Sequence, residues 1–360
     1  MNFMKTPISR RAAWLLLGIL GACGGGGGGG GTGSMMTGPM AGYVATDLVT
    51  DVPLSTYASG HTDSHLVNAW GLAFNPQGFA WVANNGTASL TVYDGNGVQQ
   101  STIVTTPPKP TGLVFNASGD FMVGGSSSQF ILATTGGLLA AWATGMSQNI
   151  AQTVYDGSAS GSNFKGLAIG AVGASNYLFA ADFHNNAVAI FNGSFQPVAA
   201  AGTFKDPSMP AGYAPFGIQA IGNHIYVAYA MQDSQAKQAV AGVGVGAVDV
   251  FDMSGTLIKR LITGSALNAP WGMAMAPSNF GAFSNALLVA NFGDGRVNAY
   301  DPNSGALLGA LSQSNGMPIA IDGLWGIAFG NGINSQPSNT LFFAAGPNSG
   351  MHGVYGRIDP

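Results

Sequence analysis

The sequence predicts an all-β chain folded as a six-bladed β-propeller of four-stranded blades. Three observations predict it: a glycine phrase repeated six times, a train of short apolar runs after each copy, and a strand-like run left over at the N-terminus. The phrase reads Asn68-Ala-Trp-Gly71-Leu-Ala-Phe74, Pro110-Thr-Gly112-Leu-Val-Phe115, Asn163-Phe-Lys-Gly166-Leu-Ala-Ile169, Pro215-Phe-Gly217-Ile-Gln-Ala220, Pro270-Trp-Gly272-Met-Ala-Met275 and Leu324-Trp-Gly326-Ile-Ala-Phe329. Its glycines lie 41, 54, 51, 55 and 54 residues apart, a period that marks a repeat architecture.

Each copy opens a unit of strands. The second runs are Ala80–Ala83, Phe121–Val123, Tyr177–Ala181, Ile225–Tyr229, Leu287–Ala290 and Leu341–Ala345. The third are Leu90–Tyr93, Phe130–Leu132, Val188–Phe191, Val248–Phe251, Val297–Tyr300 and Gly353–Tyr355. A weaker fourth run follows, as in Gln99–Val104, Val198–Phe204, Thr256–Ile262 and Ala306–Leu311. Short runs rich in Val, Ile, Phe and Tyr between Gly, Asn, Asp and Pro clusters read as hairpin-connected strands. Apolar residues on both faces fit small sheets sandwiched between neighbours. The sixth unit ends after three strands, and Tyr43–Val49 supplies the fourth, so the two ends of the chain close the ring.

Residues 1–22 read as an export signal: Lys5, Arg10 and Arg11 precede an apolar stretch, Ala12–Gly21, that is too short to span a bilayer. Leu20-Gly21-Ala22-Cys23 resembles a bacterial lipobox, which makes Cys23 the lipidated first residue of the mature chain. Residues 23–41, with their unbroken run Gly24–Gly31, form a flexible tether, about 20–25 Å in root-mean-square length. The propeller occupies residues 42–360. The expected setting is the bacterial cell envelope, with membrane contact through the lipid anchor alone, or secretion if the anchor is not added.

A net charge of −4 with 7% charged residues points away from nucleic acid, and one cysteine provides neither a disulfide nor a thiolate cluster. All 15 acidic residues are aspartate. No Gly-x-Ser-x-Gly elbow, phosphate loop or dinucleotide fingerprint occurs. The chain reads as a monomer with no resident cofactor.

In an up-and-down blade the start of the first strand and the end of the second share one face of the ring. That face gathers Asn68, Asn163, Lys165, Tyr213, Asn268 and Asp322 with Asn84, Asn85, Asp182, His184, Asn185, Asn291 and Asp294. The residue just before each glycine is Trp70, Thr111, Lys165, Phe216, Trp271 or Trp325. An aromatic mouth under polar groups suits a small ligand. The candidate ligand-binding residues are therefore Trp70, Lys165, Phe216, Trp271, Trp325, Asn68, Asn84, Asn291 and Asp322. Against this stands the structural alternative, in which the tryptophans pack the blades and the Asn and Asp side chains bond local backbone. Asp182-Phe-His184, with Lys165, is the acid–base candidate. His61-Thr-Asp63-Ser-His65 alternates ligand types but has no companion cluster, and reads as loop.

Val67–Pro76, Ala181–Asn185, Tyr213–Gln219, Leu288–Gly295 and Gly323–Asn331 carry a resemblance over residues 43–360. The chain resembles an uncharacterised family of exported bacterial six-bladed propellers, loosely related to NHL-repeat proteins. The resemblance implies fold and export. Similar proteins tend to carry acidic residues around Gly346–Gly353, where this chain has none. More distant six-bladed relatives, metal-dependent lactonases and a magnesium-dependent lyase, use a glutamate at the channel mouth, and this chain contains no glutamate. The leading functional expectation is a binding module for a small molecule or a protein. The alternative is a hydrolase- or lyase-type propeller enzyme with its site at the mouth and a divalent cation as its metal.

Overall fold

A computed structural model describes residues 42–53 and 58–360. Six small antiparallel sheets are arranged as a ring of blades, with the first strand of each blade packed against the first strand of the next and the sixth against the first. Blade 1 comprises Ala69–Phe74, Ala80–Asn84, Ser89–Tyr93 and Val104–Thr105. Blade 3 comprises Phe164–Val172, Ser175–Asp182, Ala187–Asn192 and Pro197–Val198. Blade 4 comprises Tyr213–Ile221, His224–Gln232, Ala247–Asp252 and Leu257–Thr263, with Ala239–Val240 added beside the second strand. Blade 5 comprises Pro270–Met275, Leu287–Asn291, Val297–Tyr300 and Leu307–Ala310.

Blade 6 is built from both ends of the chain. Leu324–Phe329, Leu341–Ala345 and Val354–Asp359 are joined by Val44–Thr50, which runs antiparallel to the last strand from Val44 opposite Asp359 to Thr50 opposite Val354. His61–Thr62, expected as loop, adds a two-residue parallel strand at Val49–Thr50.

Blade 2 departs from the sequence assignment. Its strands are Pro110–Phe115, Phe130–Thr134, Leu138–Trp142 and Gln152–Asp156, so Phe130 begins the second strand and not the third. Phe121–Val123, expected as the second strand, instead feeds a two-by-two-residue hairpin, Met122–Val123 with Ser126–Ser127. Gly124 and Gly125 (φ +60° and +85°) turn this hairpin back at once, which leaves no length for a blade strand. Phe121 and Val123 bury themselves between blades 2 and 3 beside Phe195.

The apolar residues sort into six interblade cores and one axial cluster. The second strands of blades 1, 2, 5 and 6 are buried along their whole length, as expected for sheets covered on both faces. The repeated glycines allow the first strands to converge on the axis. A Cβ built on Gly71 would lie 2.4 Å from the Thr111 carbonyl oxygen, one on Gly217 2.0 Å from that of Trp271, and one on Gly326 2.6 Å from that of Trp70. The remaining three meet the next blade's backbone at 2.4–2.8 Å, or 2.5 Å for Gly272, so any side chain there would open the ring. Only about 30 Å³ remains along the axis, room for a water molecule or so.

Candidate functional site at the channel mouth

Because every glycine stands close to the axis, the aromatic residues before four of them and Lys165 before a fifth gather at one end of it. Trp325 sits at the centre, stacked on Trp70 at 3.5 Å between ring centroids and on Phe292 at 4.1 Å. Trp271 meets Trp325 edge-on at 5.7 Å, and Phe216 approaches it at 5.8 Å. The three tryptophans and Phe216 thus pack with one another across the ring and cap the channel. Each such ring pair adds about 0.5–1.5 kcal/mol to plain burial. Thr111, at the same repeat position in blade 2, turns its hydroxyl to the Phe164 carbonyl at 3.0 Å.

The ends of the second strands do a different job. The Asp182 carboxylate is buried and accepts from the backbone N–H of Asn163 at 3.0 Å and from Asn185 Nδ2 at 2.9 Å. Asn291 Oδ1 likewise accepts from the Asn268 N–H at 3.1 Å, while its Nδ2 donates to the Ala266 carbonyl at 2.7 Å. Asn84 Nδ2 donates to Ser89 Oγ and Thr91 Oγ1 inside blade 1. In blades 3 and 5 this residue latches the segment that leads into the glycine phrase. His184 directs Nδ1 to the Ala236 carbonyl at 3.3 Å, so Asp182 and His184 do not form an acid–base pair. Asp322 is exposed and accepts from the Asn348 N–H at 2.8 Å.

Above the aromatic cap lies a cavity of about 500 Å³. It is lined by the buried Trp70, Trp325 and Lys165 with Phe292, by Asn68, Asn85 and Asn163, and by the exposed Lys109 and Lys237 at its rim. Asn68 is held in place from two directions: Trp70 Nε1 donates to its Oδ1 at 2.9 Å, and its own Nδ2 donates to Asn85 Oδ1 at 3.1 Å. Asn163 Oδ1 is buried without a hydrogen-bond partner.

Lys165 is the anomaly of the site. It is only 1% exposed, and its Nζ lies 5.5 Å from the Trp70 ring centroid and 5.7 Å from that of Phe183. Among the described residues it makes no ion pair. Burial holds its pKa down to about 8, with Asp233 pulling it up in part and Lys109 pushing it lower. Asp233 is itself engaged, accepting from the N–H groups of Lys237 at 2.7 Å and Gln238 at 3.1 Å, which keeps its pKa low. Those bonds fold the Asp233 loop so that Lys237 reaches the rim. Three lysines therefore face one cavity in a protein of net negative charge.

Of the residues expected from sequence at this face, Asn68, Asn85, Asn163, Trp70, Lys165 and Trp325 line this cavity, Trp271 and Phe216 pack with Trp325 beneath it, and Asn84, Asn291, Asp182 and Asp322 are not among its lining. Sequence reasoning missed Lys109, Lys237 and Phe292. Lys109 was in reach, because Pro107-Pro108-Lys109 immediately precedes a glycine phrase. Lys237 sits in the long connection between Gln232 and Ala247, whose path over the mouth has no sequence signal. Among the described residues no group of three or more His, Cys, Asp or Glu side chains is placed to hold a metal ion. Cys23 and the tether lie outside the described residues.

No family model matches the chain. Among solved structures it is similar to virginiamycin B lyase from Staphylococcus aureus, with a TM-score of 0.50 and 14% identity over 88% of this chain and 99% of the other. It is also similar to a streptogramin B lyase, with a TM-score of 0.51 and 11% identity over 88% of this chain and 97% of the other. At these identities the likeness shows the six-bladed fold and nothing of the chemistry. Two proteins of Acanthamoeba polyphaga mimivirus are similar in sequence. Uncharacterized protein R648 is 32% identical over 321 residues, covering 84% of this chain and 77% of that protein. Uncharacterized protein L690 is 30% identical over 323 residues, covering 83% of this chain and 82% of that protein. Both relatives are viral, whereas the resemblance drawn from the sequence is to exported bacterial propellers. The chain, itself a six-bladed propeller, belongs to the family that includes these mimivirus proteins.

Proposed function

We propose that the protein is a binding module that takes a small organic anion into the cavity over its channel mouth. The observation that carries this reading is Lys165: a buried cation with no protein counter-ion among the described residues, facing a cavity with two more lysines at its rim. Burying an unpaired ammonium is costly, and a ligand carboxylate or phosphate would offset that cost with a charge-assisted hydrogen bond. The stacked faces of Trp70, Trp325 and Phe292 favour a flat or apolar body on the same ligand.

The reading includes export and anchoring through Cys23, supported by the basic n-region, the short apolar stretch and Leu20-Gly21-Ala22-Cys23. Fatty-acid labelling of wild type against Cys23→Ala tests that part, and equal labelling of both would refute it. The binding reading is tested by thermal shift with a panel of aromatic and aliphatic carboxylates and phosphates. Anions that stabilise wild type and Lys259→Ala, a lysine on the outer strand of blade 4 and not among the cavity lining, but shift Lys165→Met far less support it. Equal shifts in Lys165→Met, or no shift across the panel, would overturn it.

A further inference from the structure

We propose that Lys165 captures a carbonyl-bearing organic acid covalently, as an imine on its Nζ, within the mouth cavity. This rests on the anion-binding reading and names the ligand class more narrowly. A lysine becomes a nucleophile when an apolar pocket and a neighbouring cation keep its amine unprotonated. Both conditions hold at Lys165. Its Nζ lies against the faces of Trp70 and Phe183, and Lys109 opposes its charge through space. With a pKa of about 8, a useful fraction of the amine is neutral near pH 7.5. Nothing structural occupies the group, since no ion pair engages it among the described residues, and it opens on a cavity of about 500 Å³.

While Lys165 is charged it pairs with the acid group itself; in its neutral form the exposed Lys109 and Lys237 would hold the acid group instead, and the carbonyl carbon turns toward the free amine. In the step itself the Nζ lone pair forms a C–N bond to the carbonyl carbon, and the C=O π pair moves to oxygen. A proton passes from nitrogen to that oxygen, giving a carbinolamine. The hydroxyl then leaves with a second proton from nitrogen, so amine and carbonyl yield imine and one water. No oxidant, reductant or metal is needed.

The test is reductive trapping on the full chain with 4-carboxybenzaldehyde and cyanoborohydride at pH 7.5, with benzoate and benzaldehyde as the acid-only and carbonyl-only probes. Peptide mapping reads each lysine separately. The proposal predicts labelling of Lys165 about tenfold above the exposed Lys109 and Lys237, suppressed by excess benzoate and weak with benzaldehyde. Lys165→Arg, which keeps the charge, is predicted to keep the benzoate thermal shift and lose the adduct. If exposed lysines are labelled and Lys165 is not while benzoate still stabilises wild type, the imine proposal is overturned and the binding reading stands. If benzoate gives no shift and Lys165 no adduct, both are overturned.

Discussion

Lys165 Nζ lies 5.5 Å from the centre of the Trp70 ring, and the two residues hold the same repeat position in blades 3 and 1. The fold asks for a residue that packs at the axis, and aromatic side chains meet that demand in blades 1, 4, 5 and 6. A lysine there is attracted to the aromatic face, a contribution of about 0.5–2 kcal/mol. That offsets only part of the desolvation that depresses its pKa.

Replacing Lys165 with methionine should therefore stabilise the protein near neutral pH, by about 1–3 kcal/mol. The folded pKa of about 8 lies below the ordinary lysine value of 10.5, so between them the unfolded chain binds more protons. Wild-type stability should rise across that window, and the advantage of Lys165→Met should shrink as pH approaches 10.5. Urea midpoints at pH 7 and pH 10 check this; a methionine variant less stable than wild type at pH 7 would contradict it.

Gly217→Ala should destabilise the ring by about 1–3 kcal/mol or more, because its Cβ would lie 2.0 Å from the rigid Trp271 carbonyl oxygen. Gly119→Ala, where a Cβ meets nothing within 4 Å, is the matched control and should change the midpoint little. Thermal unfolding of both variants gives the comparison.

The closing strand is tied to blade 5 by Tyr43. Its hydroxyl donates to the Phe280 carbonyl at 2.8 Å and accepts from the Phe283 N–H at 3.0 Å, with its ring stacked on Phe283 at 5.9 Å. Tyr43→Phe should cost about 1–3 kcal/mol, since it leaves the buried Phe280 carbonyl and the half-buried Phe283 N–H without this partner. Hydrogen exchange should show the loss concentrated in Val44–Thr50 and its partner Val354–Asp359.

Asp249 is buried in blade 4 among Asp206, Arg260 and Tyr229. Burial and the Asp206 carboxylate outweigh the Arg260 guanidinium, whose Nε is 3.6 Å away, and raise the Asp249 pKa to about 7. A raised acid pKa contributes stability that is full below its ordinary value of 3.8 and is lost as pH climbs through about 7. Asp249→Asn should remove that loss, gaining on wild type by about 1–3 kcal/mol between pH 4 and pH 8. A constant difference between the two proteins across that range would count against it.

Much of the scaffold was legible because the glycine phrase encodes a close approach that no other residue permits, and because three strands at one end plus one at the other fill the sixth blade. Blade 2 was misread where Phe121–Val123 falls at the expected distance after the phrase yet is turned back by Gly124 and Gly125. The odd lysine at position 165 stood out by comparison of the repeats. The second-strand ends did not reveal their role, since Asp182 and Asn291 look the same in sequence whether they serve a ligand or a backbone N–H. Lys237 joins the site only through the fold of a long connection held by Asp233.

On the proposed reading, an organic anion in the mouth cavity sits on the Lys165 ammonium. Isothermal titration of benzoate into wild type and Lys165→Met at pH 7 tests it most directly. One site per chain is expected in wild type, with affinity in the variant about tenfold weaker, near 1.4 kcal/mol. Equal affinity in the two proteins, or binding that persists unchanged without the lysine, would contradict it.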